Sequence, residues 1–177
     1  MKNVDLVLTS LFSALLCILS VVSVPIGTVP VTLSLFGIFL IGAVLKTKIA
    51  VSAVLVYITI GALGLPVFSQ FSSGLGVLFG PTGGYIWSYP IMTAIISYSR
   101  TKIKKHGNLT LIFSMSASLL ICYLLGTSWY CFISNVPFYS AFIVCCVPFI
   151  FFDIIKLIAA FLISSTIKKS TINKLFI

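Results

Sequence analysis

The sequence predicts an all-α, polytopic integral membrane protein: one domain over residues 1–177, built from six transmembrane helices. Three observations predict it. The chain is 60% hydrophobic and only 7% charged, where a soluble domain carries about 25% charged residues. Its eleven basic and two acidic side chains could not clothe a soluble surface of this length. The apolar residues gather in runs approaching the roughly 20 residues that cross a bilayer, and the basic residues fall only in alternate connections between those runs.

The first run, Leu6–Val22, follows Lys2 as a secretory signal would, but it lacks a small-x-small cleavage site and reads as a helix. Thr32–Leu45 and Ile49–Leu63 follow, separated by Lys46 and Lys48. Tyr85–Tyr98 and Leu109–Gly126 are separated by Arg100, Lys102, Lys104 and Lys105. The last run, Phe138–Ile167, is long, and Pro148 inside it permits a kink or an early break. The shorter runs extend at their ends into neighbouring apolar residues.

Six spans place both termini on one side. Ten of the eleven basic residues, all but Lys156, share that side, while Ser23–Val31, Gly64–Gly84 and Thr127–Pro137 on the other carry no charge. The excess of positive charge marks the cytoplasmic face, so both termini are cytoplasmic and the chain belongs in the cytoplasmic membrane. The net charge of +9 then needs no nucleic acid, because orientation and attraction to anionic lipid headgroups account for it.

Composition also excludes chemistry. With no Glu and only Asp5 and Asp153, paired-carboxylate hydrolysis lacks its pair. His106 stands alone in a basic loop, and Cys17, Cys122, Cys131, Cys145 and Cys146 show no metal-binding spacing, so no metal or cofactor site is expected. No phosphate-binding glycine loop with its lysine occurs. The chain reads as a non-enzyme.

Two charges remain inside the membrane. Counted back from Lys168, Lys156 lies about 18 Å and Asp153 about 22 Å from the inner boundary, in the outer half of a core about 30 Å thick. At i and i+3 they share a helix face. Intramembrane charges mark function by default; a structural ion pair that only holds helices together is the rival reading. As a pocket, the pair offers acceptors from Asp153 and donors from Lys156.

The outer connections look built to close such a pocket. The connection between residues 61 and 85 holds Leu65, Val67, Phe68, Phe71, Leu75, Val77, Leu78 and Phe79. It is too apolar for disorder and is expected to fold back over the ligand. Gly80-Pro81-Thr82-Gly83-Gly84-Tyr85 opens the fourth span, where N–H groups could face an anion or the glycines could simply let helices pack closely. Thr32 starts the second span, as a cap or a pocket residue. Tyr85 and Trp87 are stacking candidates, whereas Trp129 and Tyr130 read as interface anchors. Ser10 and Ala14 give the first span a small face suited to close helix packing within or between chains.

These residues together resemble the BioY family, the biotin-specific substrate-binding (S) components of energy-coupling factor (ECF) transporters. Pro30-Val31-Thr32-Leu33 resembles the family's P-V-T-L-Q, and residues 61–68 resemble its G-x-x-G-L-P-V-F. Residues 80–85 resemble G-P-T-G-G-Y, and Pro148-Phe149 with Asp153 and Lys156 resembles P-F-x-x-x-D-x-x-K. The resemblance implies biotin as transported ligand, with Asp153 accepting from the ureido N–H groups and Lys156 donating to a biotin oxygen. Thr32, Gly83, Gly84 and the aromatics Phe68, Tyr85 and Trp87 would complete the site. It further implies a transmembrane coupling (T) subunit and ATP-binding cassette ATPases as partners, with Ser10 and Ala14 resembling the A-x-x-x-A docking surface. Ser34 stands where the family usually has Gln, and Ser10 replaces an Ala. A homo-oligomer, an S component for another small vitamin-like ligand, and a structural membrane subunit remain as alternatives.

Overall fold

The computed structural model describes residues 3–26, 29–102 and 107–169. Lys2, Lys104, Lys105, His106, Lys174 and both termini, on which part of the charge placement rests, lie outside these residues. The described chain is predominantly helical: α1 (Asn3–Val21), α2 (Ser34–Val44), α3 (Thr47–Ala62), α4 (Leu75–Leu78), α5 (Gly83–Lys102), α6 (Gly107–Ser134), α7 (Phe138–Cys145) and α8 (Val147–Lys169). Three stretches are long and apolar enough to cross a membrane: Asn3–Val21, Asn108–Ser134 and Val147–Ile167. They expose large apolar side chains such as Val7, Phe113, Leu120, Phe151 and Ile154, which makes physical sense against lipid rather than water.

α2 sits at the centre. It packs on α1, α5 and α8, and residues 37–44 are all buried. Eleven residues rise only about 16 Å, so this helix alone is shorter than the bilayer core. Around it pack Leu16, Tyr57, Met92, Ile96, Leu111 and Met115, all fully buried. α5 and α6 form the most extensive helix pair.

Two departures from the sequence expectation have clear causes, and one expected break is present. The connection after α1 is not a plain loop. It forms an antiparallel hairpin, β1 (Ser23–Ile26) with β2 (Val29–Thr32), in which Pro25 faces Pro30, so the fold is not purely α. Alternating Val and Pro around a two-residue Gly27-Thr28 link is hairpin chemistry, and prolines are tolerated because a two-stranded ribbon has two edges.

Secondly, α6 continues past Gly126 to Ser134, so most of the expected outer connection Thr127–Pro137 is helix. It stops where Asn135 adopts φ 53°, a left-handed stop followed by Val136-Pro137. The last apolar run is two helices, the early break that the sequence allowed. Cys146 breaks it at φ −120°, ψ −51°, and Pro148 lies in the first turn of α8, where its missing N–H costs no helical bond.

Candidate ligand-binding site

The charged pair lies on one face of α8, about two turns from its start. Lys156 Nζ donates to Asp153 Oδ1 at 2.7 Å, and the Tyr123 hydroxyl of α6 donates to Oδ2 at 2.6 Å. Asp153 is 2% and Lys156 7% exposed. A buried carboxylate is costly unless paired and hydrogen-bonded, and here each oxygen has a donor.

These groups line a cavity that opens to the exterior, its empty space together with the mouth amounting to about 650 Å³. Its walls come from α1, β2, α2, α3, α5, α6, α7 and α8, and Ser69 and Thr82 of the long outer connection reach it as well. Hydroxyls are abundant. Ser34 Oγ is hydrogen-bonded to the Tyr89 hydroxyl at 2.9 Å and to Thr32 Oγ1. Tyr85 is linked through Thr127 to Cys146, at 3.4 and 3.2 Å. Phe149 and Ile86 supply apolar wall. Among the described residues, no group of three or more His, Cys, Asp or Glu side chains could hold a metal ion.

Of the residues singled out in the sequence, Asp153, Lys156, Thr32 and Tyr85 line this cavity, and Phe68, Gly83, Gly84 and Trp87 lie outside its lining. Phe68 is fully buried against Gly61, where a Cβ would overlap its ring, and meets Tyr57 edge-on with centroids 5.5 Å apart. Gly84 lets α5 approach α6, since a Cβ there would overlap Trp129, and Gly83 packs against the backbone of Leu78. The N–H groups of Gly83 and Tyr85 bond back to Gly80 and Thr82 carbonyls at 3.0 and 3.2 Å, so these two are not aimed at a ligand.

Two indoles brace the connection. Trp87 Nε1 donates to the Leu78 carbonyl at 3.0 Å and Trp129 Nε1 to the Gly80 carbonyl at 2.9 Å. Trp87 is thus a brace for the short helix α4, and Trp129 one for the turn after it. Ser10 and Ala14 are exposed on the outward face of α1, away from the cavity. Tyr57, Tyr89, Tyr123 and Ser20 all line the cavity and were not singled out in the sequence. Their only signal there is a hydroxyl placed inside an apolar helical run.

The BioY family pattern matches residues 1–173. The chain belongs to the BioY family. Its BioY relatives include a probable biotin transporter of Pyrococcus horikoshii, 39% identical over 97% of this chain and 100% of the relative. The biotin transporter of Thermotoga maritima is 38% identical over 96% and 99%. Biotin transporter BioY2 of Lactococcus lactis subsp. cremoris is 37% identical over 89% and 86%. A solved structure, the S-component for biotin from an ECF-type ABC transporter, superposes with a TM-score of 0.91 at 25% identity, covering 99% of this chain and 98% of that one. The chain therefore has the S-component fold, and this BioY member is a multi-pass membrane transport component rather than an enzyme.

Proposed function

We propose that this chain is the biotin-capturing S component of an ECF transporter, binding biotin in the cavity beside Asp153. One observation carries the reading: the hydrogen-bonding capacity that the buried pair retains. A carboxylate offers about four acceptor positions and an ammonium three donors. Among the described residues, Asp153 uses one position for Lys156 and one for Tyr123, and Lys156 gives one N–H to Asp153. Two acceptor positions and two donors are left, in a buried site where charge-assisted bonds are strong. A cyclic urea, with two N–H groups and one carbonyl oxygen, matches that remainder. The uncharged rest of the cavity suits the thiophane ring and aliphatic chain.

In this reading the chain crosses the cytoplasmic membrane six times with both termini inside, β2 and α2 together carrying the second crossing. The connection between α3 and α5 folds over the outer mouth through Ser69 and Thr82. With no phosphate-binding loop of its own, the chain depends on a T subunit and ATP-binding cassette ATPases for energy. The exposed Ser10–Ala14 face of α1 is small enough for a T-subunit helix to approach closely.

Calorimetric titration of the purified chain with biotin, thiamin and riboflavin tests this. Saturable one-to-one binding of biotin alone is expected. A folded chain that prefers another vitamin, or binds none, would contradict it.

A further inference from the structure

Hydroxyl side chains inside helices usually satisfy themselves on a carbonyl three or four residues back. Thr9, Ser88, Thr93, Ser97, Ser114, Ser118 and Ser164 do so here, at 2.6 to 2.9 Å. Three serines whose hydroxyl oxygen is buried do not bond back into their own helix: Ser13, Ser20 and Ser165. Of these three, Ser20 lines the cavity, and it is 1% exposed. Facing the cavity and not bonded back into its own helix, the Ser20 hydroxyl is placed to donate to a ligand.

Tyr57 stands beside it. Its hydroxyl lies beside that of Ser20, its side chain is 1% exposed and lines the same cavity, and Phe68 fixes its ring from the edge. The pair belongs to α1 and α3, which pack on each other, whereas the charged pair belongs to α8, which packs on α2 and α6. The cavity thus has two polar walls of different character: an ionic one that can accept and donate, and a neutral one made of hydroxyls.

We propose that Ser20 and Tyr57 form a second ligand subsite that donates two hydroxyl hydrogen bonds to the carboxylate end of the ligand. This rests on the biotin reading above and adds the anion-recognising end of the site. O–H donors to a carboxylate in a water-poor cavity are short and charge-assisted. They recognise an anion without placing a second cation in the membrane, where an unpaired charge is costly.

The test compares biotin with biotinamide, which lacks the negative charge, on the full chain in detergent. Wild type should bind the acid more tightly. Ser20→Ala and Tyr57→Phe should each weaken acid binding about tenfold or more, the loss of a charged hydrogen bond, while changing amide binding much less, so that the preference collapses. Ser20→Thr should retain it. Ser20→Ala should also melt no lower than wild type without ligand, which separates lost recognition from lost folding. Equal weakening toward acid and amide, or an unchanged preference, would overturn the subsite while leaving the biotin reading standing. Failure of wild type to bind biotin overturns both.

Discussion

Gly61 is where the outer connection is pinned to the helix bundle, and a single methyl there tests the pinning. The Gly61 carbonyl accepts from the Gly74 N–H at 2.7 Å and the Gly64 N–H at 3.2 Å, tying both flanks of the Phe68 segment to the end of α3. Phe68 fills the space against the glycine, fully buried, with its ring where a Cβ would stand. Gly61→Ala must therefore displace the ring, and overpacking of this kind costs about 1–3 kcal/mol. Phe68→Ala alone removes a buried aromatic, at about 3–5 kcal/mol. In that background the new methyl has room, so Gly61→Ala should become neutral or slightly stabilising. The double-mutant cycle should then show a coupling of about 1–3 kcal/mol. Reversible unfolding of ligand-free protein in mixed micelles reads all four corners. Additive effects of the two substitutions would refute the proposed contact between Gly61 and Phe68.

Further predictions concern the cavity itself. Tyr123→Phe removes the 2.6 Å donor to Asp153 and should lower biotin affinity about tenfold, the scale of one charge-assisted bond; unchanged affinity would show that the carboxylate is oriented without it. Cys122 and Cys145 line the cavity whereas Cys131 does not, so saturating biotin should slow alkylation of the first two by a small permeant maleimide and leave Cys131 unaffected, as peptide mass spectrometry would read. Replacing both charges, Asp153→Leu with Lys156→Met, should preserve folding, since apolar replacement of a buried pair is often neutral. The same variant should lose biotin binding, whereas retained binding would make the pair purely structural.

The helical runs were legible because hydropathy is local: each apolar stretch announces a helix whatever its neighbours. The charge pair was legible because a lone Asp and Lys in an apolar run have no bland explanation except each other. Other features depend on which neighbour a face meets, and spacing does not encode that. Tyr57, Tyr89 and Tyr123 look like core aromatics in sequence, and only packing turns their hydroxyls toward one cavity. Gly83 and Gly84 fit anion binding and close packing equally well in sequence; the overlap a Cβ would meet at Leu78 and Trp129 gives both a packing reason. Phe68 lies in a family motif, yet its contacts are with Gly61 and Tyr57. The hairpin was legible in principle, from Val-Pro alternation around Gly27-Thr28, but its strands are only four residues each and read as a loop between two strong spans. Ser34 meets the Tyr89 hydroxyl from α5, a contact 55 positions away in sequence.

The central claim is that Asp153 reads the ureido N–H groups of biotin, and titration of biotin into purified wild type and Asp153→Asn tests it most directly. Asparagine keeps the shape but turns one acceptor oxygen into a donor and removes the charge. Two charge-assisted bonds are lost or weakened, so affinity should fall by about a hundredfold or more, with the variant still folded by its own unfolding transition. Biotin affinity within a few-fold of wild type in folded Asp153→Asn would contradict the assignment.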